Sequence, residues 1–172
     1  MATEANIDVS TGEMTILVEA YYTGTSPEPS NFLNVALLQN NTLGPQTGGN
    51  AGNEYNHMHR LVDMVTGQWG EEITETSTGD FISRTYTYQI PPDFNGIPAE
   101  LSDLEVVVFM TETTQEVISG NGAYPTFSGL VHQNDVFVRS IEDISEQCYG
   151  ELGPVVNIQN TGSDTLTSVD LS

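Results

Sequence analysis

Glu13-Met14-Thr15-Ile16-Leu17-Val18-Glu19-Ala20-Tyr21 is the stretch that decides the fold class. Met14, Ile16, Val18 and Ala20 recur every second residue, with Thr15, Leu17, Glu19 and Tyr21 between them. Side chains that alternate in this way fall on opposite faces of a strand, so the pattern predicts a half-buried β-strand near 13–22. Thr11-Gly12 before it reads as a turn.

The same period runs outward in both directions. Phe32 to Leu38 is a short apolar strand ended by Asn40-Asn41. His57 to Thr66 reads as a strand, Gly67-Gln68-Trp69-Gly70 as a turn, and Ile73 to Thr76 as a short edge strand. Phe81, Ser83, Thr85 and Thr87 alternate with Ile82, Arg84, Tyr86, Tyr88 and Ile90 until Pro91-Pro92 stops the strand. Leu104 to Met110 holds Val106-Val107-Val108-Phe109, apolar at consecutive positions, which predicts a central strand covered on both faces. Glu116-Val117-Ile118 and Gly120-Asn121-Gly122 read as a strand leaving a turn, and the β pattern continues through Val136, Val138 and Ser140. Ser26 to Ser30 and the Gly/Asn-rich stretch from Gly44 to Asn53 are loops. No segment shows helical capping with a sustained 3.6-residue period. The expected fold class is all-β: an antiparallel β-sandwich of jelly-roll or immunoglobulin-like type, with a C-terminal β-hairpin extension.

That extension is predicted from Val155-Val156-Asn157-Ile158, a turn at Asn160-Thr161-Gly162-Ser163, and a strand from Leu166 to Leu171. The expected organisation is one sandwich domain over 1–143, followed by a linker and hairpin over 144–172. Two strands alone are marginal in water. The hairpin is therefore read as an assembly tail, or as the start of a second domain, with Val155, Val156, Ile158, Leu166, Val169 and Leu171 as the contact residues. Its partners would be neighbouring domains or copies of the same chain, reached by strand addition.

Charge narrows the function classes. The 172 residues hold 24 Asp+Glu against 3 Lys+Arg, a formal net charge of −21. The cations are Arg60, Arg84 and Arg139; there is no lysine. Such a surface repels phosphate, so nucleic acid is excluded as a partner. No run reaches transmembrane length, and no membrane insertion is expected. Met1-Ala2-Thr3-Glu4 carries neither the basic nor the apolar part of a secretory leader. Cys148 is the one cysteine, so no disulfide forms within the chain.

Leu33 to Asn41, Tyr55-Asn56-His57-Met58-His59-Arg60 and Gly67-Gln68-Trp69-Gly70-Glu71-Glu72-Ile73 resemble, in order, the Omp28-related outer-membrane protein family of Bacteroidetes. Leu104 to Phe109, followed by Glu116-Val117-Ile118, fits the same pattern, and the resemblance spans about residues 5–124. It implies a β-sandwich within exported, multidomain surface proteins, and hence an extracellular or cell-surface location. The family often sets this sandwich after a thioredoxin-like domain. No redox residues carry over, because Cys148 lies outside the matched region. The resemblance carries no catalytic residues either. Gly153 to Ser168 resembles the opening of an immunoglobulin-like repeat of type IX-secreted proteins, of which only two strands would be present.

Three candidate sites follow from residue chemistry. Trp69 with Tyr55, Glu71 and Glu72, near Tyr86 and Tyr88, forms an aromatic and carboxylate set suited to sugar rings. The plainer reading is a tryptophan covering one end of the core. Asp93 and Asn95, with Asn134 and Asp135, place hard oxygen ligands in loops, and calcium is the cation they suit. The plainer reading is a solvated acidic surface, since no Asp-x-Asp-x-Asp-Gly loop is present. Glu54 with Asn53 and Glu142 with Asp143 have the same character. His57 and His59, two apart on one strand, form half of a zinc or copper site that His132 or a carboxylate would complete; the plainer reading is one structural and one exposed histidine. Catalytic motifs are absent: there is no Gly-x-Ser-x-Gly, and a phosphate-binding loop needs a lysine. The leading expectation is a non-catalytic extracellular module for surface structure, adhesion or assembly. A carbohydrate-binding module around Trp69 and a hydrolase using paired carboxylates are the alternatives.

Overall fold

Met14, Ile16 and Val18 have no solvent exposure, and Ala20 is buried beside them, while Glu13, Thr15 and Tyr21 face outward. A computed structural model of the chain describes residues 1–48, 52–113, 115–130, 134–141 and 155–169. Cys148, His132, Leu171, Glu142 and Asp143, all singled out above, lie outside them.

The strands in chain order are β1 Ala2–Asp8, β2 Glu13–Tyr21, β3 Asn31–Gln39, β4 Thr42–Gly44 and β5 Tyr55–His57. Then come β6 Arg60–Met64, β7 Glu71–Ile73, β8 Phe81–Gln89, β9 Asp93–Phe94 and β10 Ile97–Pro98. The last five are β11 Leu104–Glu112, β12 Glu116–Ala123, β13 Thr126–Ser128, β14 Val136–Ile141 and β15 Val156–Asn160. One turn of 3-10 helix at Leu101–Asp103 is the helical element among the described residues.

Two sheets face each other. One has the order β13-β1-β2-β8, antiparallel except for the parallel pair β1 and β13. The other has the order β12-β11-β3-β6, with β7 extending the β6 edge by pairing the start of β3. Ile7, Met14, Ile16, Val18 and Ile82 from the first sheet meet Leu33, Val35, Leu37, Ile73, Leu104, Val106, Val108 and Met110 from the second. The molecule is thus the all-β sandwich expected from the alternation, with one continuous core.

Several elements differ from expectation, each for a physical reason. The strand expected over His57 to Thr66 is interrupted at Met58-His59. There His59 takes the left-handed conformation (φ 54°), and the side chain of Asn40 accepts a hydrogen bond from its backbone N–H at 2.7 Å. The doubly covered strand is β3, not β11. On β11, Leu104, Val106, Val108 and Met110 are buried while Glu105, Val107 and Phe109 remain half-exposed. On β3, Asn34 and Ala36 of the outer face are buried as well, and Gly70, between β6 and β7, packs against Asn34. Gly120-Asn121-Gly122 is no turn; it pairs with Phe109, Val108 and Val107 inside β12.

The terminal hairpin also differs. Val156–Asn160 pairs with Val136–Ile141, and residues 165–169, including Leu166 and Val169, form no strand. A strand goes to the edge that satisfies its backbone groups, and β14 offers six residues already extended. This pairing crosses the 143/144 division.

The open side of the sandwich between β8 and β6/β7 is closed by polar side chains. Leu33 and Leu37 point into the core, so their partners Glu71 and Asp63 stand on the core-facing side at the sheet edge, where Asp63 stays exposed. Arg84 Nε donates to Glu71 at 2.8 Å, and its Nη2 lies 3.5 Å from Glu75. Tyr86 donates to Glu71 at 2.7 Å, and Tyr88 to Asp63 at 2.8 Å.

Candidate functional site

The residues expected to form an aromatic and carboxylate site are dispersed. Glu71 is committed to the inter-sheet seam with Arg84 and Tyr86. Glu72 is exposed on the opposite side of β7, across from Phe32. Tyr55 lies on β5, where its ring meets His57 edge-on at 4.8 Å between ring centres. Tyr86 and Tyr88 belong to the seam. Burial raises both phenols above their ordinary range, and the hydrogen bonds they donate to Glu71 and Asp63 add to the rise.

Trp69 stands elsewhere, and it is 63% exposed. The turn that carries it is tied down on β3. Val65 N–H donates to the Val35 carbonyl at 2.8 Å, and Val35 N–H donates to the Thr66 hydroxyl at 3.0 Å. Gly67 and Gly70 hold φ values of 75° and 78°, the left-handed region that favours glycine. A Cβ on Gly70 would come within 2.8 Å of the Leu33 carbonyl oxygen and 2.9 Å of Asn34 Oδ1. The chain therefore lies flat against β3 at Gly70 and projects the indole over the outer face of the sheet.

Under the indole is a cleft of about 180 Å³ lined by Asn34, Met64, Gln68, Trp69, Phe109 and Thr111. Asn34 and Thr111 face away from the core residues Leu33, Val35 and Met110, which fixes this as the outer face. No charged side chain lines the cleft. Across β12, Phe109 pairs with Gly120 and Val107 with Gly122, so no side chain from β12 covers them. The sequence pointed to Trp69 but not to Asn34, Phe109 and Thr111. Their meeting depends on the register between β3 and β11, where Asn34 opposes Phe109. The alternation of Phe32, Asn34, Ala36 and Leu38 was the available signal.

The proposed calcium ligands have local structural duties. Asn95-Gly96 is the two-residue turn of the β9–β10 hairpin, with φ values of 57° and 83°, and Asp93 Oδ1 accepts the Gly96 N–H at 2.7 Å. Asp135 Oδ1 accepts the Val136 N–H at 2.9 Å, and its carbonyl accepts from Thr161 and Gly162. Asn134 is exposed beside it. Among the described residues no three His, Cys, Asp or Glu side chains converge on a metal position. His57 and His59 do not share a strand face: His57 ends β5, and His59 Nδ1 lies 3.0 Å from Glu105 Oε2.

The β14–β15 ribbon keeps several expected contact residues at the surface. Val155 is 50% and Ile158 40% exposed, joined by Val136, Phe137, Val138 and Ile141 from β14. Val156 is half-buried. The ribbon meets the sandwich through Arg139, whose Nη2 donates to the Ser102 carbonyl at 3.0 Å. Gln159 accepts from Arg139 Nε at 2.8 Å and donates to the Pro125 carbonyl at 3.1 Å.

No family model and no curated protein matches the sequence. Solved structures match the fold. A domain of the outer membrane lipoprotein Omp28 from Porphyromonas gingivalis aligns with a TM-score of 0.52 at 19% identity, covering 73% of this chain and 86% of that one. HBP35 of Porphyromonas gingivalis aligns with a TM-score of 0.57 at 14% identity, covering 95% of this chain and 60% of that one. This chain thus spans under two thirds of the HBP35 chain it matches. At these identities the likeness is one of fold. The sandwich implied by the sequence resemblance to the Omp28-related family is the fold found.

Proposed function

We propose that the chain is a non-catalytic β-sandwich module at the outside of the cell, serving surface structure through contacts made by its C-terminal ribbon. The β14–β15 ribbon carries the proposal. The two strands and Val155 just before β15 expose Val136, Phe137, Val138, Ile141, Val155 and Ile158, with exposures between 37% and 63%. A two-stranded ribbon has little core of its own, and apolar side chains left exposed on it suit a contact site. Likeness of fold to an outer membrane lipoprotein domain supports the location.

The partner is a neighbouring domain or a second copy. A formal charge of −21 opposes self-association at low salt. The Debye length shrinks from about 10 Å at 0.1 M salt to about 3 Å at 1 M, which removes much of that repulsion. Light scattering across a salt series tests the self-association form. The expected result is a mass that rises with salt and returns to the monomer when Val138, Ile141 and Ile158 are replaced by Asn. A monomer at every salt concentration would overturn it.

A further inference from the structure

The ligand cleft under Trp69 is a separate matter from the ribbon. We propose that it binds a neutral carbohydrate, with one sugar ring stacked on the indole and the chain running over the strip beside Phe109.

Four observations converge on this ligand class. First, Trp69 is 63% exposed, although tryptophan gains more than most residues from burial. Its electron-rich face is available to the slightly positive axial C–H groups of a pyranose ring. Second, the turn that carries the indole is pre-positioned. Two left-handed glycines and the contacts of Val65, Val35, Thr66 and Gly70 on β3 hold the turn, so little ordering cost remains for binding. Third, the cleft of about 180 Å³ is lined by the aromatic Phe109 and the exposed amide of Gln68, with buried Thr111, whose hydroxyl donates to the Thr113 carbonyl, behind them. That volume equals about six waters, the scale of a single sugar ring. Fourth, Gly120 and Gly122 leave the β12 flank of Phe109 and Val107 without side chains. A strip free of β12 side chains therefore leads from the cleft toward Glu105, whose Oε1 lies 3.9 Å from the Cβ position of Gly122, and it suits a polymer better than an isolated small molecule.

Electrostatics selects a neutral ligand. The chain's charge of −21 repels acidic polysaccharides and phosphates. No carboxylate lines the cleft, so a cationic ligand would find no counter-charge there. A ring with apolar C–H faces and hydroxyl groups matches the two aromatic side chains and the Gln68 amide present.

Trp69 is the single tryptophan, so its fluorescence reports this site alone. The probes are cellohexaose, laminarihexaose, maltohexaose, mannohexaose and chitohexaose, titrated into the full chain in solution. The expected result is a saturable change with at least one of them, with a Kd on the order of 1 mM or tighter. Trp69→Ala should weaken that binding about tenfold or more by calorimetry, and Trp69→Phe should retain part of it. The residue is exposed, so both variants should fold, which circular dichroism checks. An inert fluorescence signal with all five sugars, or undiminished binding by Trp69→Ala, would overturn the proposal. The assay uses the isolated chain, so either result leaves the surface-module reading untouched.

Discussion

The guanidinium of Arg139 lies 3.7 Å from the centre of the Tyr124 ring, and this contact joins the β14–β15 ribbon to the sandwich. The same side chain bonds the Ser102 carbonyl and Gln159, so one residue gathers a cation–π contact and two hydrogen bonds. Arg139→Ala is expected to lower the free energy of ribbon opening by about 1–2 kcal/mol. Hydrogen exchange should then speed up roughly tenfold in β14 and β15 while β2, β3 and β11 keep their protection. Equal loss of protection throughout would show that ribbon and sandwich open as one unit.

Core packing gives a contrast between two leucines of the same sheet. Leu33 has no exposure, and Leu61 is 57% exposed. Leu33→Ala should cost about 2–5 kcal/mol, and Leu61→Ala no more than about 0.5 kcal/mol. For a domain of this size each kcal/mol moves Tm by about 2–4 °C, so thermal melts separate the two variants readily.

Stability should fall in alkali. Burial raises the Tyr86 and Tyr88 phenols above the ordinary value of 10.0. The unfolded chain ionises these groups first, so their contribution is complete below pH 10.0 and is lost as pH rises through the higher folded-state values. Denaturant melts from pH 8 to about 11 should show the decline beginning near pH 10. Replacing both tyrosines by Phe should flatten it; an unchanged slope would remove the seam as its cause.

Gly70 sets the position of Trp69. With φ 78° and a Cβ position 2.8 Å from the Leu33 oxygen, Gly70→Ala strains the backbone and pushes the turn off β3. The expected cost is about 1–3 kcal/mol. Trp69 fluorescence should become more mobile, read as lower steady-state anisotropy, and any sugar affinity should fall with it. Gly48 also has a positive φ but open space around it, so Gly48→Ala provides a control for backbone strain alone.

The long strands were legible in the sequence: β2 and β8 from their alternation, β3 and β11 from their apolar runs, although the double coverage expected of β11 belongs to β3. β1 escaped notice because its inward face offers only Ala5 and Ile7 as buried residues. β13 is three residues long and pairs in parallel with β1, a partner about 120 positions away that no local pattern announces. The Gly-Asn-Gly of β12 mimics a turn, since glycine marks turns unless a neighbouring strand supplies the pairing. The C-terminal hairpin failed for a related reason. Adjacent β-prone segments suggested each other as partners, while the extended β14 was the better one. At the site, Trp69 was legible as an aromatic in a glycine turn. Glu71 was not, because face parity at the sheet edge turns it inward to Arg84 and Tyr86.

The central claim is that this sandwich works outside the cell as a surface module. The most direct measurement is antibody labelling of intact cells of the producing organism, compared with the same cells after lysis. Labelling of intact cells, lost after mild protease shaving, is the predicted result. Labelling that appears only after lysis would contradict it.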